Sequence, residues 1–425
     1  MTFSSLGLSP ALLRAVERQG LNTPTAVQTQ AIPAVLAGHD TMARAQTGSG
    51  KTLAFGLPLL HILSEQPVSI PRQPRALILV PTRELAVQVG EALRNLANQL
   101  PRDVRISVVF GGVSINRQML ALRSGTDVVV ATPGRLLDLV QHNAVNLGHV
   151  QTLVLDEADR LLDLGFEAEL NRLLALLPPQ RQNLFFSATF APPVAALAAA
   201  MLRTPVQIDI PSTEQTKPDI TQQAILVDTG QRTQLLRHLI NLHKWKRVLV
   251  FVATKHAAEI VADKLRKARI NAEPFHGELS QGKRSQVLSD FKASRLKVVV
   301  ATDMASRGLD IAELPVVVNY DLPRSADDYT HRIGRTGRAG EAGLAVSFVS
   351  HATEAHFRLI EKRHGLQVPL ETIAEFAPTT QAPVAPSSSN EDQATSVAAP
   401  VNTGGIKGKR PSKKDKLRAM AAKSV

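Results

Sequence analysis

Short runs of β-branched and aliphatic residues alternate with helix-like segments from about residue 40 to residue 350 of this 425-residue chain. A strand that is apolar along its whole length must be covered on both faces, and alternating helices provide that cover. The pattern therefore predicts an α/β fold with doubly wound parallel sheets. The predicted strands are residues 76–80, 105–110, 127–131, 152–156 and 183–187, followed by 247–252, 297–301, 316–320 and 344–349.

A polar segment, residues 210–223, separates these two sets of strands. It contains Pro211 and Pro218 and has little helical periodicity, so it predicts a junction between two lobes. The predicted organisation is 1–29 as an entry segment of the first lobe, 30–209 as the rest of that lobe, 210–220 as the linker, 221–377 as the second lobe and 378–425 as a tail.

The tail is predicted to be disordered, because it has no aromatic residue and cannot bury enough apolar surface to offset its ordering entropy. Its last part, residues 401–425, carries +7 of the net charge of +12, since it contains eight Lys or Arg and one acidic residue, Asp415, which leaves +5 for residues 1–400. A flexible basic tether favours a polyanionic partner through salt-dependent contacts. A merely solvated lysine-rich terminus is the alternative.

The chain has no cysteine, which excludes disulfides and thiolate metal sites and is typical of a reducing compartment. Its first residues lack the basic and apolar regions of a secretion signal, and no run of about 18 apolar residues occurs. The resulting expectation is a cytoplasmic protein, monomeric and without a membrane partner.

A glycine-rich loop, residues 45–52, follows an apolar-leaning segment and precedes a helical one. In such a loop the backbone N–H groups cradle phosphates, Lys51 reaches the outer phosphate oxygens and the Thr52 hydroxyl ligates Mg²⁺. The general pattern opens with Gly, where this chain has Ala45, so an ordinary glycine-rich turn remains an alternative. The predicted ATP-binding residues of the loop are Ala45, Gln46, Thr47, Gly48, Ser49, Gly50, Lys51 and Thr52.

A second segment, residues 277–283, matches the opening of the same pattern. Arg284 stands where a Ser or Thr hydroxyl would ligate Mg²⁺, so this segment predicts a loop that enters a helix. One ATP site per chain is expected.

Acidic residues end the predicted strand 152–156 at its carboxyl edge, where ligands of open α/β sheets bind. Asp156 is predicted to hold Mg²⁺, partly through water, and Glu157 to orient and deprotonate the attacking water. An acidic cluster at the start of a helix can also have a purely structural role, because it complements the helix dipole.

Asp156, Glu157, Ala158 and Asp159 spell the motif of the DEAD-box RNA helicases of superfamily 2, and residues 3 to about 350 resemble that family in the order of its motifs. The resemblance implies two tandem RecA-like domains, ATP and Mg²⁺ as cofactors, and RNA as partner. The opening segment, 3–16, and the short basic tail resemble the bacterial RhlE-type subgroup.

The resemblance also implies roles for individual residues. Gln28 would hydrogen-bond the adenine edge while Phe3 packs on the base, although a turn Gln with satisfied hydrogen bonds is the alternative. Nucleotide contacts are implied for Gly308 and Asp310. The implied catalytic residues are Lys51, Asp156, Glu157 and the arginine fingers Arg335 and Arg338. The implied RNA contacts are Arg83, Gly112, Thr132, Arg135 and Thr302, and the implied coupling residues are Asp159, Ser187, Thr189 and His331.

Two of these groups have simpler interpretations. Ser187 and Thr189 could cap the next helix, and arginines among glycines could form a solvated loop. If the fingers do reach the phosphates, they come from the second lobe, so ATP binding and lobe closure are one event. In the second lobe, Gln281 and Arg284 resemble the family's Q-x-x-R segment.

The predicted activity is RNA-stimulated ATP hydrolysis coupled to lobe closure, local unwinding of short RNA duplexes and remodelling of RNA or RNA–protein complexes. Aromatic residues make up 4% of the chain, so backbone contacts with little sequence preference are expected, to single strands and short duplexes. Ribosomal precursors and the RNA-decay machinery are both compatible partners. The rival functions are a DNA translocase on the same fold and a non-catalytic RNA clamp or assembly scaffold.

Overall fold

The computed structural model describes residues 2–45, 48–68, 70–210, 220–306, 314–337 and 342–379. Gln46, Thr47, Gly308, Asp310 and Arg338 lie outside these ranges, as does the predicted tail from residue 380 onward. Both sheets belong to one compact unit, Met1–Ala382. None of the helices within the described ranges has the length and apolar content of a membrane span.

The first lobe contains seven strands and nine α-helices within the described residues. Its strands are β1 Thr41–Arg44, β2 Ala76–Leu79, β3 Ile106–Val109, β4 Val128–Ala131, β5 Thr152–Leu155, β6 Gln182–Ser187 and β7 Val206–Asp209. Its helices are α1 Pro10–Arg18, α2 Ala26–Leu36, α3 Lys51–Glu65, α4 Arg83–Ala97, α5 Ile115–Leu122, α6 Pro133–Gln141, α7 Ala158–Asp163, α8 Glu167–Ala175 and α9 Pro192–Met201.

The second lobe repeats the plan. Its strands are β8 Ile220–Leu226, β9 Val248–Val252, β10 Ala272–Phe275, β11 Val298–Thr302, β12 Val316–Asn319, β13 Gly343–Val349 and β14 Leu370–Glu371. Its helices are α10 Arg232–Leu242, α11 Lys255–Lys267, α12 Gln281–Lys292, α13 Asp303–Ser306, α14 Ala326–Ile333 and α15 His351–His364.

The two sheets have the same topology. The strand order is β3-β4-β2-β5-β6-β1-β7 in the first and β10-β11-β9-β12-β13-β8-β14 in the second. The pairings between these strands are parallel. The carboxyl ends of the strands in each sheet therefore lie along one edge, and the amino ends along the other.

The central strands bury both of their faces. Ala76 and Ile78 of β2 belong to the core on one side of the sheet, and Leu77 and Leu79 to the core on the other. Strand β9 is divided in the same way between two cores of the second lobe. This double burial explains the near-continuous apolar runs, and the predicted α/β fold of two doubly wound lobes is confirmed.

The structure differs from the predicted strands mainly at the sheet margins. β7, β10 and β14 were not predicted, and all three are edge strands that are short or interrupted by polar residues. Strand β8 begins at Ile220, inside the predicted junction 210–223, because it pairs with both β13 and β14. A polar composition thus concealed a strand with two partners.

Helix α4 approaches β3 closely at Gly90, where an added Cβ would overlap Val108 Cγ2. We expect Gly90→Ala to destabilise the fold by about 1–2 kcal/mol, because overpacking outweighs the better helix propensity of Ala. The matched control is Gly282→Ala in α12, where a Cβ would meet nothing within 4 Å. Thermal unfolding should show a lower Tm for the first variant and an equal or higher Tm for the second; equal shifts would contradict the packing argument.

Candidate active site

The glycine-rich loop connects β1 to α3, as predicted, at the carboxyl edge of the first sheet. Gly50 has φ +90°, a left-handed conformation that suits glycine, and Lys51 is the first residue of α3. Lys51 is 6% exposed, and its Nζ donates a hydrogen bond to the Ala45 carbonyl at 2.8 Å. The loop therefore folds around its own lysine and presents a helix N-terminus to any phosphate.

Gln28 ties the entry segment to this loop. Its Oε1 accepts a hydrogen bond from the backbone N–H of Thr25 at 3.0 Å, and its Nε2 donates to the Gly50 carbonyl at 3.1 Å. Any Cβ at Gly50 would collide with the Gln28 side chain. Phe3 is 5% exposed and packs in the first-lobe core. The adenine contacts of both residues remain predictions, and loop support is a structural role of Gln28 that the sequence did not reveal.

Asp156 and Glu157 follow β5 and are both buried. Burial raises the pKa of the Asp156 carboxyl to about 6; the charge of Lys51 opposes this rise, and the charge of Glu157 adds to it. Glu157 has φ +53°, which is costly for a residue with a Cβ. The strained backbone places its carboxylate beside a buried guanidinium, since Arg160 Nη1 donates to Glu157 Oε2 at 2.7 Å.

Arg160 was not among the predicted site residues. It is 3% exposed, and a buried arginine requires a charged partner. Its only sequence signal was the i, i+3 spacing from Glu157 on a short helix.

Asp159 joins the acidic segment to the end of β6. Its Oδ2 accepts hydrogen bonds from the backbone N–H groups of Ala188 and Thr189 at 3.2 and 3.0 Å and from the Thr189 hydroxyl at 3.1 Å. The Ser187 hydroxyl accepts a hydrogen bond from the backbone N–H of Asp159 at 3.3 Å. Helix α9 begins at Pro192 after Ala191, so neither Ser187 nor Thr189 caps it.

His331, on α14 of the second lobe, faces this segment of the first lobe. Burial lowers the pKa of the His331 imidazole, and the charge of Arg160 lowers it further, whereas the charge of Asp159 opposes both. The Arg335 charge also lowers this pKa, and Arg335 is itself 7% exposed. The structure therefore brings the predicted coupling residue His331 toward the acidic cluster, and the predicted finger Arg335 lies close enough to His331 for its charge to act on it.

Several of the predicted RNA contacts lie along the carboxyl edge of neighbouring strands. Arg83, Gly112 and Thr132 follow β2, β3 and β4, which are adjacent in the sheet. The Arg83 guanidinium occupies the space that a Cβ on Gly112 would fill. Arg135 donates to the Val113 carbonyl at 2.9 Å and to Gln118 Oε1 at 3.1 Å. Thr302 ends β11 in the second lobe, at the corresponding edge.

Glu84 connects this rim to the second lobe. Arg284 Nη2 lies 3.0 Å from Glu84 Oε1, and both side chains are buried. Gln281 Nε2 donates to the same oxygen at 3.4 Å. The segment 277–283 leads into α12, where the Ser280 hydroxyl accepts a hydrogen bond from the backbone N–H of Lys283. The prediction that it is a loop entering a helix is confirmed.

The described residues contain no cluster of three or more His, Cys, Asp or Glu side chains suited to hold a metal ion by themselves. Mg²⁺ does not require such a cluster, since it is commonly held by one or two carboxylates together with substrate phosphates. A buried carboxylate such as Asp156, beside the phosphate loop and with a raised pKa, fits that arrangement.

Comparison with known proteins supports the same interpretation. Residues 25–197 match the DEAD/DEAH box helicase family, and residues 231–340 match the helicase conserved C-terminal domain. The ATP-dependent RNA helicase CshA of Listeria monocytogenes is 39% identical over 360 residues, which are 85% of this chain and 68% of CshA. The chain belongs to the DEAD-box ATP-dependent RNA helicases. Its placement in the RhlE-type subgroup stays a prediction.

Solved structures of a variant of Dbp5 from S. cerevisiae show which conformation this DEAD-box protein resembles. With RNA and ADP BeF3 bound, that variant matches with TM-score 0.77 and 29% identity, over 88% of this chain and 96% of Dbp5. With Nup159, a Gle1 variant, ip6 and ADP bound, it matches with TM-score 0.59 and 29% identity, over 86% and 95%. Over the whole chain, this DEAD-box protein therefore matches the complex with RNA and ADP BeF3 better.

The raised pKa of Asp156 predicts a pH-dependent stability in this DEAD-box protein. The carboxyl titrates near pH 4 in the unfolded chain and at about 6 in the folded one, so its favourable contribution is complete below pH 4 and is lost as the pH rises through 6. Without nucleotide or Mg²⁺, Asp156→Asn should therefore stabilise the fold at pH 8 by up to about 3 kcal/mol.

Thermal unfolding of both proteins between pH 5 and pH 8 measures this effect. The Tm advantage of Asp156→Asn should shrink as the pH falls. Asp138→Asn, at an exposed carboxylate, controls for the general effect of the substitution. An advantage independent of pH would show that the buried carboxylate is not the cause.

Proposed function

We propose that this chain hydrolyses ATP at the carboxyl edge of its first sheet and that closure of the second lobe over RNA completes the catalytic site. The observation that carries the proposal is that Glu157 pairs with Arg160 at 2.7 Å and that the charges of Arg160 and Asp159 act on His331, which belongs to the second lobe. A catalytic carboxylate is thereby placed under the influence of a group that moves with the second lobe.

ATP binding uses the first lobe. The residues of 45–52 hold the phosphates, with Lys51 exchanging its internal carbonyl partner for phosphate oxygens. Gln28 selects adenine while keeping the loop in place through Gly50. Thr52 and Asp156 would hold Mg²⁺, in part through water. When bound, Mg²⁺ neutralises charge on the phosphate oxygens.

Hydrolysis depends on Glu157. Its carboxylate orients the attacking water and takes its proton, while the 2.7 Å ion pair with Arg160 fixes the carboxylate position. Arg335 and Arg338 stabilise the negative charge that develops on the transferred phosphate, as planar guanidinium groups do well. Gly308 and Asp310 complete the nucleotide contacts from the second lobe.

RNA is held through its backbone. Arg83, Gly112, Thr132, Arg135 and Thr302 contact phosphates and sugars along the carboxyl edges. RNA binding is coupled to hydrolysis by four residues, Asp159, Ser187, Thr189 and His331. Bending of the bound strand separates short duplexes. The lobe boundaries follow the sheets, with the first lobe ending near Asp209 and the second beginning at Ile220. We also propose that the protein is cytoplasmic and monomeric, and that it acts on ribosomal precursors or with the RNA-decay machinery.

Glu157→Gln should lower RNA-stimulated ATP turnover by about 10²–10⁴-fold while ATP binding persists, because the amide cannot accept the proton. Glu91→Gln, at an exposed position of α4, is the matched control and should leave turnover unchanged. Turnover is followed by phosphate release and ATP binding by equilibrium titration. Normal turnover in Glu157→Gln would refute the catalytic assignment.

The same assay separates the rival functions. Stimulation by RNA but not by DNA supports the helicase, whereas stimulation by DNA alone supports a DNA translocase. RNA binding without turnover in the unmodified chain supports a clamp or scaffold.

The tail gives a further test of RNA binding. Thr379, within the predicted tail 378–425, hydrogen-bonds Asp228 through its backbone N–H and its hydroxyl, both at 2.9 Å, so a deletion should begin at residue 380. Removal of residues 380–425 should weaken RNA binding and its salt dependence but spare the maximal ATPase rate. Removal of residues 380–400, which contain no Lys or Arg, is the control. Equal RNA affinity in all three chains would exclude tethering by the tail.

A further inference from the structure

Three turns at the amino edge of the second sheet carry a concentration of positive charge. They precede β9, β10 and β11, which are adjacent and parallel, so the turns lie side by side. Backbone hydrogen bonds join them, from Lys297 N to Asn271 O at 3.2 Å and from Val248 N to Lys297 O at 2.9 Å. We call this surface the basic edge. It lies opposite the carboxyl edge of the second sheet, and the mechanism above does not use it.

A cavity of about 560 Å³ opens between these turns. The charged side chains among its described lining residues are Lys246, Arg247, Arg295 and Lys297, and no carboxylate lies among them. Arg295 is bound to Asp290 at 2.8 Å. Within the part of the chain that the structure describes, Lys246 and Lys297 make no ion pair, so their charge is available to a ligand.

Two basic residues of these turns also have an unfavourable backbone conformation. Lys244 and Arg269 have φ +51° and +62°, left-handed conformations that side chains with a Cβ rarely adopt. Both residues are exposed, and neither makes an ion pair within the described ranges. Glycine would fit these positions better, as Gly125 does before β4 in the first lobe, at φ +74°. The basic side chains are therefore retained at a cost in stability.

The corresponding edge of the first sheet shows that the fold does not require such charge. There Arg72 lies 3.1 Å from Asp103 and 3.2 Å from Asp127, and Arg75 lies 2.8 Å from Asp127. Arg72 and Arg75 are thus neutralised by carboxylates. Among the residues that the structure describes, Lys244, Lys246, Arg269 and Lys297 of the basic edge make no such ion pair.

An aromatic pair lies on the same turns. The His243 and Trp245 rings are stacked, with centroids 5.6 Å apart and planes 16° apart, and His243 is exposed. Unneutralised cations beside an exposed stacked ring suit a nucleic acid, which offers phosphates and flat bases together. A lipid headgroup or an acidic peptide would use the charges but not the ring.

We infer that the basic edge is a second RNA-binding surface, which holds the phosphodiester backbone of RNA flanking the strand bound at the carboxyl edges. The inference rests on the proposed function for the identity of the polyanion. The path round a lobe of this size is about 60 Å. At 3.4 Å per nucleotide, only an RNA of roughly 18 or more nucleotides reaches both surfaces. A long RNA is therefore gripped at two places, and a short one at one.

The test compares RNAs of about 10 and about 40 nucleotides in the full chain, with the doubly substituted Lys246→Ala, Lys297→Ala variant. The variant should bind the long RNA several-fold more weakly, with the slope of log K against log salt reduced by about 1.4 for two lost phosphate contacts. Affinity for the short RNA, and the ATPase rate it stimulates, should be unchanged. Arg14→Ala with Arg123→Ala, two exposed arginines of the first lobe, is the matched control.

An unchanged affinity and salt slope for the long RNA would overturn the inference and leave the basic edge to an acidic protein partner. If short RNA does not stimulate ATP hydrolysis by the unmodified chain, the proposed function is refuted instead. The two failures are therefore distinguishable. A second variant, Lys244→Gly with Arg269→Gly, separates RNA binding from fold stability. It should raise Tm because glycine removes the backbone strain at both positions, yet it should weaken binding of the long RNA. The control is Thr204→Gly, which removes the backbone strain at a positive φ in the first lobe and should leave RNA binding unchanged.

Discussion

The carboxylate of Asp159 accepts four hydrogen bonds, and the arrangement of the catalytic site depends on them. Three of the donors belong to Ala188 and Thr189 after β6, and the fourth is the backbone N–H of Arg160. Because Glu157 and Arg160 belong to the same turn and short helix, fixing Asp159 also fixes the ion pair between them. Oxygen acceptors with this many donors hold their position firmly, since moving them breaks several charge-assisted bonds at once.

Most of this arrangement was predictable, because parallel topology converts sequence order into spatial proximity. Once the apolar runs were identified as strands, every motif that follows a strand had to lie on one edge. The prediction failed at the sheet margins, where β10 contains Pro274 and β14 has only two residues, so neither shows an apolar run. It also failed for β8, whose pairing with β13 overrides a polar composition.

The site residues divide in the same way. Lys51, Glu157 and Asp159 belong to motifs with a mechanism, so sequence alone could predict roles for them, and these roles stay predictions. Arg160 and the support of Gly50 by Gln28 could not be predicted, because each depends on a distance across the turn or between elements. Pairwise geometry of that kind leaves no periodic signal. Arg338, Gly308 and Asp310 lie outside the described residues, so their predicted roles still rest on the resemblance, and the predicted role of the tail still rests on its charge.

Burial of Asp156 shows why such a site is kept at a cost. A carboxylate held in an apolar surrounding destabilises the empty protein near neutral pH, as its pKa of about 6 indicates. In the proposed mechanism a cation with bound phosphates would reverse the balance, because the same low-polarity surrounding strengthens every charge interaction made within it. The strain at Glu157 has the same character, since the role proposed for its carboxylate arises only when a water and a phosphate are in place. In the proposed mechanism, stability lost in the empty site becomes affinity for the nucleotide-bound state, and the structure already brings His331 of the second lobe under the influence of the Asp159 charge.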